Sequence, residues 1–91
     1  MAEELAAAIG DLLARVPSDV VRHLAREVAT WRQEPWGLRR LRALRAVALP
    51  QFQPPVERLL EVWERTCPGA SAEGVALALL AADAAVRSGG E

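Results

Sequence analysis

Hydrophobic positions along this chain recur every three or four residues in five runs, each bounded by proline or glycine, which is the spacing of amphipathic helices. The first run, residues 3–16, places Leu5, Ile9, Leu12, Leu13 and Val16 on one stripe and stops at Pro17. Ser18 then stands where an N-cap belongs, with Asp19 in the first turn to complement the helix dipole. The second helix, expected over residues 19–33, gathers Val21, Leu24, Val28 and Trp31 for a core and leaves Arg22, His23 and Arg26 outside. Glu34-Pro35-Trp36-Gly37 reads as a break before a third helix over residues 38–49, whose Leu41, Leu44, Val47 and Ala48 share a side. The connector PQFQPP, residues 50–55, is stiff and is expected to drop Phe52 into the core, with Pro55 suited to the first turn of a fourth helix. Val56, Leu59, Leu60 and Trp63 form the apolar face of that helix, and Glu57, Glu61 and Glu64 its outer face. Cys67-Pro68-Gly69 closes it, Ser71 caps a fifth helix, and Ser88-Gly89-Gly90 releases the chain.

Strand signals are missing: there is no alternating β-branched run, no Asn-Gly hairpin and no tyrosine. The expected fold is therefore all-α, a compact bundle of about five short helices. It makes one domain over residues 1–88, with 89–91 as a flexible tail or the start of a linker. A faint echo at an offset of 35 residues pairs Val21 with Val56, Leu24 with Leu59, Val28 with Trp63, Ala43 with Ala78 and Leu44 with Leu79. It would make the second and third helices, and the fourth and fifth, two related hairpins.

The fifth helix, SAEGVALALLAADAAVR, changes the picture because it has almost no side that wants water. Val75, Leu79, Ala82 and Val86 form one stripe, sufficient for packing within the bundle, while Leu77 and Leu80 lie on another side. Each leucine left in water forfeits about 1.5–3 kcal/mol of burial. A helix apolar all round is either central to its own bundle or covered by something else. Leu77, Leu80, Ala76 and Ala84 are accordingly the candidate protein interface. Asp83 is the sole charge in mid-helix, and Arg87 one turn later is its expected partner.

Composition narrows the function classes. The chain is 52% hydrophobic and 25% charged, as in soluble globular proteins, and no run approaches the roughly 20 apolar residues of a membrane span. Its net charge of −1 gives no general pull toward nucleic acid or anionic lipid. The N-terminus is acidic and periodic, unlike a signal peptide, and a single cysteine forms no internal disulfide, which fits a reducing cytoplasm. All eleven basic residues are arginine, so lysine-dependent active sites are excluded, and with the alanine load this suggests a GC-rich bacterial genome.

Little is left to carry chemistry. His23 lies among arginines, which disfavour its protonated form, and has no orienting partner in the pattern. Cys67 follows a helix C-terminus, where the dipole works against a thiolate, and reads as a small half-buried apolar residue. One histidine and one distant cysteine make no metal site, and no phosphate-cradling loop is present, so no catalytic residue, cofactor or metal is expected. The third helix carries Arg39, Arg40, Arg42 and Arg45 without an acid of its own. Such a group can grip phosphates, or it can pair with Glu57, Glu61 and Glu64 of the next helix, and the balanced net charge favours pairing. Nothing in it reads bases.

The stretches LLARVPSDVVRHLAREV and VERLLEVWERTCPGASAEGVALALLAADAAVRSG, separated by a proline-bounded connector, resemble the N-terminal helical region of phospholipase-D-like proteins. The likeness is greatest to the phospholipase-D-like component of the bacterial DISARM anti-phage system, and it covers the chain from Leu12 to Arg87. That family hydrolyses phosphodiesters with His-x-Lys-x4-Asp motifs, which a lysine-free chain does not contain. The resemblance therefore implies an accessory, non-catalytic helical domain of a cytoplasmic defence protein, and no family site residue transfers to these positions. Its partners would be proteins: the catalytic domain, a second copy, or another defence component. The alternatives are a small nucleic-acid-binding helical module using the arginines of the third helix, and a free-standing death-domain-like adaptor.

Overall fold

The computed structural model describes residues 2–89, which form five α-helices and one 3₁₀ turn and contain no strand. Helix α1 (Ala2–Arg15) buries Ala8, Ile9 and Leu12, with Val16 buried just past its end. Pro17 lacks an N–H and ends it. The carbonyl of the same Pro17 accepts the amides of Val20 and Val21, each at 3.0 Å, and so starts α2 (Ser18–Ala29). Ser18 is thus the first helical residue rather than the cap, and its hydroxyl is spent elsewhere, donating to both carboxylate oxygens of Asp83 at 2.7 and 2.8 Å.

Helix α2 ends at Ala29, four residues short of the expectation. The Thr30 hydroxyl donates to the Glu27 carbonyl at 2.7 Å, and the chain turns so that Trp31 is buried outside the helix. Pro35 does not break the next helix but begins it. Its carbonyl accepts Leu38 and Arg39 N–H at 3.1 Å, so α3 is Trp36–Val47. At the far end Ala48 takes φ 62°, ψ −54°, a γ-turn closed by Leu49 N–H on the Val47 carbonyl at 2.6 Å. This is strained backbone for a residue with a Cβ. A 3₁₀ turn, Pro50–Phe52, then leads into α4 (Gln53–Thr66), with Phe52 half-buried against the core. The Ser71 oxygen accepts Gly74 N–H at 3.0 Å, the expected cap of α5 (Ala72–Gly89).

The buried face of α3 differs from its expected one. Ala43 and Val47 are fully buried and Leu44 partly so, but Leu41 is 47% exposed and Ala48 is exposed. The face that packs inward runs through Trp36, Arg39, Ala43 and Val47, at helical spacing. It is set by the small Ala43 and by an arginine that periodicity alone assigns to water.

Sequential helices do not simply pair. Helix α5 lies antiparallel along α2: Ser18 at the start of α2 meets Asp83 late in α5, while Ala29 and Trp31 border Ser71, Ala72 and Glu73. Helix α4 packs on α1 and α3 instead. The positions of the 35-residue echo agree in burial between α2 and α4, where Val21, Leu24, Val28, Val56, Leu59 and Trp63 are all buried. Ala43 is buried and Ala78 exposed, however, and the second of the two expected hairpins is not formed, since α5 packs on α2 and scarcely meets α4. Among the described residues no helix is long and apolar enough to cross a membrane.

Asp83 is the buried charge among the described residues. Besides Ser18 it accepts Arg87 Nε at 3.1 Å, the expected pair one turn along α5. These bonds offset the cost of taking its carboxylate out of water. Ser18→Ala removes a charge-assisted hydrogen bond and should lower stability by about 1–2 kcal/mol. Thermal unfolding followed by circular dichroism measures this, and an unchanged midpoint would show that the bond contributes nothing.

Candidate functional site

Because α5 is held on α2 by one side only, its outer side is decided by what remains. Val75, Ala76, Leu79 and Asp83 point into the bundle, and Ala82 is half-buried. The outer side carries Gly74, Leu77, Ala78, Leu80, Ala81, Ala84 and Ala85, all exposed. Leu77 is 61% exposed and Leu80 36%. From Gly74 to Val86 the only charged residue is Asp83, which faces inward, so this side presents about three and a half turns of helix without an exposed charge.

Of the expected interface residues, Leu77, Leu80 and Ala84 lie on this outer side. Ala76 does not: at 2% exposure it is a core residue, because a step of one residue from Leu77 turns about 100° back toward α2. Val86, expected in the inner stripe, is 58% exposed. The reason is length: α5 has 18 residues against the 12 of α2, so its last turn passes beyond the helix that would cover it.

The arginines of α3 have mostly found partners. Arg40 pairs with Glu57 on α4, and that hydrogen bond, with the charge behind it, pushes the guanidinium pKa up. Arg42 donates to Glu34 at 2.6 Å. Arg39 turns inward, donates to the Arg32 carbonyl at 2.8 Å, and lies 4.7 Å from the Trp36 ring centre. Arg45 is exposed and has no ion pair among the described residues. The four do not form one phosphate-gripping row. Of the three glutamates expected opposite them, Glu57 is engaged by a direct ion pair, while Glu61 and Glu64 are exposed.

Pattern reading did not anticipate the cluster around Arg39. Trp63, fully buried in α4, stacks on Trp31 with ring centres 6.0 Å apart and 15° between planes. Trp36 meets Trp63 edge-on at 5.1 Å and 87°. The Arg39 guanidinium is within 6 Å of all three rings. Its Nε is buried without a hydrogen-bond partner, and the electron-rich ring faces supply part of the compensation. A signal was present in the sequence, since Trp31, Trp36 and Trp63 all sit near helix ends, where three rings can converge.

Little else is arranged for chemistry. His23 is exposed and borders an open hollow with Glu27, Thr30, Arg42, Arg45 and Ala46. Cys67 is half-buried at the C-terminal end of α4, its sulfur 3.3 Å from the Thr66 hydroxyl. Among the described residues no group of three or more His, Cys, Asp or Glu is placed to hold a metal ion. The cleft beside the tryptophans, about 470 Å³, is lined by Arg39, Arg32, Glu73 and Ser71 among others, and holds neither His23 nor Cys67.

No family model matches the chain, no curated protein matches it, and no solved structure matches its fold.

Proposed function

We propose that this chain is a non-catalytic helical domain whose work is protein association, with the outer face of α5 as its contact surface. The observation that carries the reading is the pair Leu77 and Leu80, 61% and 36% exposed on a side of the helix that bears no charge between Glu73 and Arg87. Leu38 and Leu41 are exposed too, but they alternate with Arg40 and Arg42, which solvate that face. A continuous apolar strip is the kind of surface that marks an interaction site rather than scattered exposure.

By its sequence resemblance the chain is the accessory helical part of a phospholipase-D-like bacterial defence protein, working in the cytoplasm. The strip would then meet the catalytic domain, another defence component or a second copy. The nucleic-acid reading has less support, because Arg39, Arg40 and Arg42 are already engaged within the chain. A photo-reactive amino acid at position 77 is expected to cross-link to protein in living cells, while the same probe at exposed Gln51 does not. Equal yields at the two positions, or no adduct at 77, would remove the reading.

A further inference from the structure

We propose that α5 pairs with α5 of a second copy of this chain, antiparallel, along Glu73, Leu77, Leu80, Ala84 and Arg87. The proposal rests on the association reading above and names its partner. These five residues are spaced four, three, four and three apart, the seam of a two-helix coiled coil, and all five are exposed. No other helix of the bundle covers them.

The seam matches itself only in one orientation. It begins with an acid, Glu73, and ends with a base, Arg87, about 21 Å further along the helix. Two copies side by side in parallel would set Glu73 against Glu73 and Arg87 against Arg87. Antiparallel, each Glu73 meets the other copy's Arg87, and the two helix dipoles oppose. Around a two-fold axis Leu80 then meets Leu80 at the centre, and each Leu77 lies beside an Ala84, offset by about 1.5 Å along the helix. A large side chain faces a small one, which lets the helices approach closely without a void. Self-complementarity of this kind is what a two-fold interface requires, and a surface evolved for an unrelated partner has no reason to have it.

The neighbouring residues are compatible. Arg87 donates to Asp83 through Nε, which holds its stem along the helix, and its terminal nitrogens make no other bond among the described residues. Glu73 makes no ion pair among them either. Ala81 and Ser88, beside the seam, are exposed and small. One helix pair is a small interface, so the dimer should be weak and concentration-dependent.

Sedimentation equilibrium of the purified chain over a wide concentration range should show a reversible monomer–dimer equilibrium. Glu73→Arg should weaken it about tenfold or more, and Leu80→Asp should leave only monomer, with helicity kept in both. Disulfide trapping in a Cys67→Ser background reads the register independently. Leu80→Cys should cross-link to itself across the axis, and an equal mixture of Leu77→Cys and Ala84→Cys should form the mixed disulfide faster than either alone. A wild-type chain that stays monomeric overturns the pairing, as does Leu77→Cys joining to itself as readily as to Ala84→Cys. If the chain is monomeric yet the probe at position 77 captures a different protein in cells, the pairing fails and the association reading stands. If neither occurs, both fail.

Discussion

Trp63→Ala should cost about 3–5 kcal/mol, within reach of the whole stability of a domain this size, roughly 5–14 kcal/mol. The indole is fully buried and ties α4 to three other segments at once. It stacks on Trp31 beyond the end of α2, makes a T-shaped contact with Trp36 at the start of α3, and donates its N–H to the Ala70 carbonyl at 3.1 Å in the loop before α5. Truncation leaves a cavity of indole size, strips the Ala70 carbonyl of its donor, and takes from Arg39 one of the rings that surround it. Trp63→Phe keeps the aromatic contact but loses the N–H and should fall between the two. Urea unfolding followed by circular dichroism gives both values. A loss under about 1 kcal/mol for the alanine variant would mean that the cluster is not a keystone of the bundle.

Leu79→Asp should unfold the domain, or reduce its stability by more than about 4 kcal/mol, because it buries a charge with no partner. Leu79 is fully enclosed on the inner side of α5. A carboxylate there would also sit one turn from buried Asp83 on the same face, and like charges at that spacing repel. Asp83 itself is tolerated because the Ser18 hydroxyl lies within hydrogen-bond distance of both its oxygens and Arg87 Nε donates to Oδ2. Far-UV circular dichroism and urea unfolding of the variant measure the outcome. Native helicity with an unchanged midpoint would place α5 differently from this account.

The stripes of α1, α2 and α4 were legible in the sequence because an amphipathic helix with one clear face has one way to turn. Leu12, Leu24, Leu59 and Trp63 are all in the core where spacing puts them. Ser71 was legible as a cap for the same local reason. Readings failed where a distant contact outweighed a local preference. Ser18 is a good cap by type, but Asp83, 65 residues away, is the acceptor its hydroxyl reaches. Arg39 is a surface residue by type, yet three tryptophans make a place for its guanidinium. With Arg39 turned inward, Val47 is buried and Leu44 partly buried as spacing puts them, while Leu41 and Ala48 at the edges of that face are exposed.

For the candidate site, the doubly apolar character of α5 was visible in sequence, but which side packs inward was only partly so. Ala76 and Ala84 are the same residue type on one helix, and only the position of α2 distinguishes core from surface. Val86 needed the alignment of α5 on α2, which sets Asp83 beside Ser18 at the start of α2 and leaves the last turn of α5 beyond it. The pairing of α5 with α2, rather than with its sequence neighbour α4, leaves no local trace at all.

The most direct test of the central claim is Leu77→Asp, two residues from the lethal position and on the opposite side of the same helix. Its unfolding free energy in urea, taken at a protein concentration low enough to keep the wild type monomeric, should lie within about 0.5 kcal/mol of the parent, as for other exposed positions. Association, measured on the same preparation at high concentration, should be gone. A loss of several kcal/mol in the monomer would mean that Leu77 is already enclosed by its own chain, and the outer face of α5 would have nothing left to offer a partner.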